Sequence, residues 1–121
     1  MPRSAEPDVT AFLGLPPTAF HILVSLAGGD RHGYAIMREV AERTEGKLKL
    51  NPGTLYTTIK RLLSDGLIAE LDERPDPGKD DERRRYYSLT AFGRKVVRAE
   101  VERLEELVLM ARRAGLVPKR A

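Results

Sequence analysis

The pattern that begins at Thr90 most constrains what this chain can fold into. About 25 residues follow with one unbroken helical periodicity, and Val97, Val101, Leu104, Val108 and Ala111 recur at spacings of 4, 3, 4 and 3. Thr90 suits the N-cap, because its hydroxyl can accept from the free amides of a first turn. Gly115 and Pro118 end the pattern. At 1.5 Å per residue such a helix is roughly 37 Å long. The other residues of a 121-residue chain build only one modest core, and the helix reaches past it. The spacing is that of a coiled-coil seam, and Leu107 and Met110 widen it. Left wet, that seam is unfavourable. A two-fold dimer covers it. The predicted interface is Val97, Val101, Leu104, Leu107, Val108, Met110 and Ala111, with the first helix and Phe12 or Leu13 able to assist.

A second helix is announced by NPGTLYTTIKRLL, Asn51 to Leu63. Asn51 suits the N-cap and Pro52 the first helical position. Leu55, Ile59, Leu62 and Leu63 form one apolar face. Thr54, Tyr56, Thr57, Thr58, Lys60 and Arg61 form the other. From Gly46 to Ser64 there are four cations, Lys47, Lys49, Lys60 and Arg61, and no acid. Net charge is only +3, with 21 cationic residues against 18 acids, so the local arrangement carries more information than the total. A helix held by one side with this outer face suits contact with nucleic acid, whose bases and phosphates accept from hydroxyls and cations. A merely solvated face fits the pattern equally well.

Upstream, residues 1–16 are expected to form a flexible N-terminal arm. A helix over about Thr18–Ala27 ends at Gly28 and Gly29. Another runs from His32 or Gly33 to Thr44, burying Ile36, Met37, Val40 and Ala41. KLKL, Lys47 to Leu50, alternates strictly and is expected to form a short strand edge. Downstream, LIAEL (67–71) and RRYYSL (84–89) read as strands joined by a turn-rich tip with Pro75, Pro77 and Gly78. Tyr87 shares a face with Leu89 and is expected inside. Three helices followed by a hairpin give a mostly α fold with a small β hairpin: a winged helix-turn-helix with a long C-terminal dimerisation helix. Its predicted limits are 17–89 for the DNA-binding domain, 90–115 for the dimerisation helix and 116–121 for a basic tail.

Enzymatic function is not expected. The absence of cysteine removes thiolate chemistry and Cys-ligated zinc. His21 and His32 make a poor metal site, and Asp80, Asp81 and Glu82 on a loop lack convergent geometry. No nucleophile–base pair, phosphate-cradling glycine loop or cofactor signature is present. There is no leader pattern and no stretch long enough to cross a bilayer, so a cytoplasmic protein is expected.

Three motifs, HGYAIMREV (32–40), GTLYTTIKRLLSDGLI (53–68) and RRYYSLTAFG (84–93), resemble the PadR family of transcriptional regulators in order and spacing. The resemblance covers about Pro17 to Gly93. It implies a winged helix-turn-helix, a homodimer built through the last helix, double-stranded DNA as partner at a pseudo-palindromic promoter operator, and usually repression. The single helix after the wing is similar to the compact branch. That branch's drug-sensing members stack planar ligands on a tryptophan, which this chain lacks, so their function is not carried over. With the resemblance, the expected DNA-binding residues are Asn51, Thr54, Tyr56, Thr57, Thr58, Lys60 and Arg61 of the recognition helix, Lys79, Arg83 and Arg84 of the wing, and His32. Capping and packing are the competing role for His32, and packing for Tyr56. A small aromatic or amphipathic effector, bound between the last helix and the DNA-binding domain, is a further expectation. The competing reading is a winged-helix protein-interaction module that never binds DNA.

Overall fold

The computed structural model describes residues 8–71 and 85–116. Among the described residues there are four α-helices: α1 (Pro17–Ala27), α2 (Gly33–Arg43), α3 (Pro52–Ser64) and α4 (Ala91–Arg113). A three-stranded antiparallel sheet of β1 (Arg31–His32), β2 (Ile68–Glu70) and β3 (Tyr86–Leu89) lies in the order β1-β3-β2. The hairpin expected from the sequence is the β2–β3 pair, in which Ile68 faces Leu89 and Glu70 faces Tyr87.

The third strand comes from an unexpected place. Arg31 and His32, just before α2, pair with Tyr87 and Tyr86. KLKL does not form a strand. Its alternation arises instead from a turn: Leu50 is buried, Leu48 is partly buried, and the Leu48 amide donates to Thr44 Oγ1 at 3.1 Å.

Local caps fix the helix starts. Thr90 Oγ1 accepts from the Gly93 amide at 2.9 Å, and Asn51 Oδ1 accepts from the Thr54 amide at 2.8 Å. Ile22, Leu23 and Leu26 of α1, Ile36 and Val40 of α2, Leu55 and Ile59 of α3, and Tyr87 and Val96 fill one continuous core. Gly93 lets the root of α4 meet the sheet, since a Cβ there would run into the Leu67 carbonyl.

Residues 8–16 correct the expectation of a free arm. Asp8 caps a short 3-10 turn, Val9–Phe12, through its carboxylate and the Thr10 amide, and Phe12 meets Phe92 edge-on at 5.8 Å. The strap is then tied to α4 by Glu100, which is buried. Its Oε1 accepts from the Gly14 amide at 2.9 Å, while Arg103 donates to both carboxylate oxygens at 2.9 and 2.7 Å. Burial opposes ionisation, but the Arg103 hydrogen bonds, with those of the Gly14 and Leu15 amides, hold the Glu100 carboxyl below the ordinary glutamate range.

Candidate nucleic-acid interface

The inner face of α3 is locked by Leu55, Ile59 and Leu62, all buried. Its outer face presents Thr54, Thr57, Lys60 and Arg61 to solvent. No acid lies between Pro52 and Ser64, and neither Lys60 nor Arg61 forms an ion pair among the described residues. Thr58 is half-buried and its hydroxyl donates to the Thr54 carbonyl at 2.9 Å, which leaves its lone pairs as acceptors. Asn51 is exposed and spends Oδ1 on the cap, keeping its amide NH₂ for a partner.

Two of the side chains expected at the DNA take up the competing roles of packing and capping. Tyr56 turns inward: its hydroxyl occupies the space that a Cβ at Gly33 would need, so the glycine lets α3 close on α2 and the ring packs between them. His32 caps α2, its Nδ1 accepting from the Ala35 amide at 3.1 Å, and its ring stands edge-on to Tyr86 at 5.3 Å. An accepting Nδ1 places the proton of the neutral ring on Nε2. Lys79, Arg83 and Arg84 lie outside the described residues. Arg85, at the root of the wing, is half-exposed and pairs with Glu70 at 3.5 Å.

A network that the sequence reading missed links α1 to α2. Arg43 donates to Ser25 Oγ at 2.6 Å and to Glu39 Oε1 at 3.2 Å, and Arg31 Nε lies 3.2 Å from Glu39 Oε2. Burial works against the Glu39 charge. Hydrogen bonds from Ser25 and Arg31, with the charges of Arg31 and Arg43, outweigh it and hold the carboxyl below its ordinary value. His21, 3.1 Å from Arg43, is pushed the same way by burial and by the neighbouring guanidinium, so it favours the neutral form.

The seam of α4 divides at Glu100. Val97 is a correction, because it is buried in the core of its own subunit and offers a partner almost nothing. Beyond Glu100 the apolar side chains come into the open. Val101, Leu107, Val108 and Met110 are between 39% and 53% exposed, and Leu109, not among the predicted contacts, is 42% exposed. Leu104 and Ala111 are half-buried. Phe20 of α1, with Val101, Leu104, Val108 and Leu109, lines an open groove of ≈ 480 Å³ along this stretch.

Among the described residues, no group of three His, Asp or Glu side chains could hold a metal, and no helix is long and apolar enough to cross a membrane. The sequence profile of the transcriptional regulator PadR-like family matches residues 22–99. A transcriptional regulator of Mycobacterium tuberculosis is 34% identical over 87 residues, covering 72% of this chain and 75% of its own. The fold is similar to that of a PadR family transcription regulator from Clostridium difficile, with a TM-score of 0.68 and 24% identity over 81% of this chain and 97% of that one. It is also similar to that of a Clostridium thermocellum transcriptional regulator, with a TM-score of 0.66 and 24% identity over 87% and 91% of the two chains. The profile match, spanning both helix-turn-helix helices, the sheet and the root of α4, and the Mycobacterium relative agree with the residue-level reading: this chain belongs to the PadR-like family of transcriptional regulators, whose members are not enzymes.

Proposed function

We propose that the protein is a homodimeric, sequence-specific DNA-binding repressor whose α3 enters the major groove. The observation that carries this reading is the outer face of α3: hydroxyls and two cations without an ion-pair partner among the described residues, and no acid, on a helix clamped from behind. Threonine hydroxyls suit base edges or phosphates, and a threonine methyl suits the thymine methyl. Lys60 and Arg61, a turn later, suit phosphate or guanine. The exposed apolar stretch of α4 supports pairing with a second copy. A two-fold pair would set two recognition helices about 34 Å apart, one duplex turn. Repression follows from occupying a promoter and excluding polymerase.

A small amphipathic effector would release the operator from the cleft between α1 and α4, ≈ 350 Å³ and lined by Val24, Ala27, Arg94, Val97, Arg98 and Val101. It does so only by binding the free and DNA-bound states unequally.

The test is operator selection from a random duplex pool, followed by titration across salt. Affinity should fall by about 10³ to 10⁵ between 50 and 200 mM salt if six to ten phosphates are met. Lys60→Ala/Arg61→Ala should abolish operator binding while leaving the dimer intact. Unchanged binding by that variant would reassign α3 to packing, and a chain that selects no duplex would be a protein-interaction module.

A further inference from the structure

Between the strap, the start of α1 and α3 lies a cleft of ≈ 510 Å³. Small-molecule sites typically span about 300–1,000 Å³. Its apolar side comes from Phe12, Leu13 and Leu15 of the strap, Ala19 of α1, Leu62 of α3 and Leu67. Ala19, Leu62 and Leu67 are buried, and the three strap side chains are half-buried. The strap wall is fixed, because Glu100 holds the Gly14 amide and Phe12 rests on Phe92. This cleft shares no residue with the one between α1 and α4.

The polar side is one row of α3. Thr57, Arg61 and Asp65 succeed one another at four-residue steps, with Thr58 beside them. Arg61 and Asp65 carry opposite charges at a spacing that permits an ion pair, but with the cation first, the less favourable order on a helix. Neither makes an ion pair or side-chain hydrogen bond among the described residues. Elsewhere in the fold, where the acid comes first, such pairs are closed on each other, as Glu39 is with Arg43 and Glu100 with Arg103. The cleft thus joins an apolar wall to a separate cation and anion. That set is complementary to a molecule with one charge of each sign next to an apolar group.

We propose that this cleft binds a free amino acid with an apolar side chain. Arg61 holds the carboxylate, Asp65 holds the ammonium, and the side chain lies against Leu13, Leu15 and Leu62. A simple carboxylate would sit beside the unpaired Asp65 and a simple amine beside the unpaired Arg61, and like charges so placed are unfavourable. Thr57, Thr58 and Arg61 are also among the residues expected at the DNA, so the amino acid and the operator exclude each other at this row. Competition with the operator rests on the DNA-binding reading above; uptake of the amino acid does not.

L-Leucine, L-phenylalanine, L-leucinamide and 4-methylpentanoate are titrated into the protein by calorimetry, and the amino acid that binds is then titrated into the operator complex. Leucinamide and 4-methylpentanoate, each lacking one charge, should bind about tenfold or more weakly than leucine. Asp65→Asn should weaken the amino acid by a similar factor and should not lower operator affinity in its absence. At ten times its own Kd the amino acid should weaken operator binding about tenfold, and the loss should keep growing in proportion to its concentration. An effector that acts by shifting shape would level off instead. No binding of either amino acid, equal binding of 4-methylpentanoate, or binding that Asp65→Asn leaves intact overturns the site. Binding that saturating operator leaves unchanged overturns the competition. A chain that takes up the amino acid and selects no duplex keeps the site, and loses the DNA-binding reading together with the competition.

Discussion

Replacing Glu100 by alanine should loosen the strap from α4 and cost about 2–3 kcal/mol. The magnitude follows from what is left behind. Glu100 is 2% exposed and accepts from Arg103 and from the Gly14 and Leu15 amides. Removing one member of a fully buried ion pair costs roughly 3–5 kcal/mol. Arg103, however, is 36% exposed and can turn to water, so little of that penalty applies to it. The main loss is the strap amides, at about 1–3 kcal/mol for each orphaned buried donor, with water able to satisfy part of it. For a chain of this size the loss lowers the melting temperature by roughly 8–12 °C, read at fixed protein concentration because the proposed pairing of two copies would add to it. Hydrogen exchange should accelerate at the Gly14 and Leu15 amides and remain slow in α3. The acid limb supplies a second check. The folded carboxyl titrates below its ordinary value, so its contribution is complete above the glutamate range and is lost as pH falls through the lower, folded value. The gap between wild type and Glu100→Gln should therefore be full at neutral pH and shrink in acid. A loss under about 0.5 kcal/mol at neutral pH, or unchanged hydrogen exchange at the Gly14 amide in Glu100→Ala, would refute the reasoning.

Gly93→Ala should unfold the junction of α4 and the sheet, because the new methyl meets the Leu67 carbonyl, a backbone atom that cannot swing aside; expression and circular dichroism report it. Val97→Ala should lower the stability of the fold by about 1–3 kcal/mol without changing the association constant of the proposed dimer, whereas Val108→Glu should dissociate that proposed dimer in sedimentation and leave the helical content intact. His21 is held neutral by burial and by Arg43, so its folded value lies below the unfolded 6.5 and protonation disfavours the fold. Stability should thus rise with pH across that region, and His21→Gln should flatten the rise in denaturant titrations.

The elements legible in the sequence were those with local signals. Asn51–Pro52 and Thr90 mark the starts of α3 and α4, and the structure places both helices there with the expected caps. Tyr87 is buried as its pairing with Leu89 on one strand face implied. What could not be read depends on distant partners. A two-residue strand at Arg31–His32 has no periodicity, and exists because β3 offers it an edge. The strap at residues 8–16 resembles a loose terminus until Glu100, 86 positions beyond Gly14, meets its amide. KLKL carries the alternation of a strand, but its apolar residues are turned inward by a Thr44-anchored turn. The outer face of α3 was legible as a class of residues, with one exception. Tyr56 packs inward because Gly33 lacks a side chain on another helix, a vacancy that no pattern within α3 records.

Hydroxyl-radical footprinting of the selected operator tests the central claim most directly, that two copies present α3 to successive major grooves. The account predicts two protected windows on one face of the duplex, about 10 base pairs apart centre to centre, both lost with Lys60→Ala/Arg61→Ala. A single window, or two windows that survive that double substitution, would contradict it.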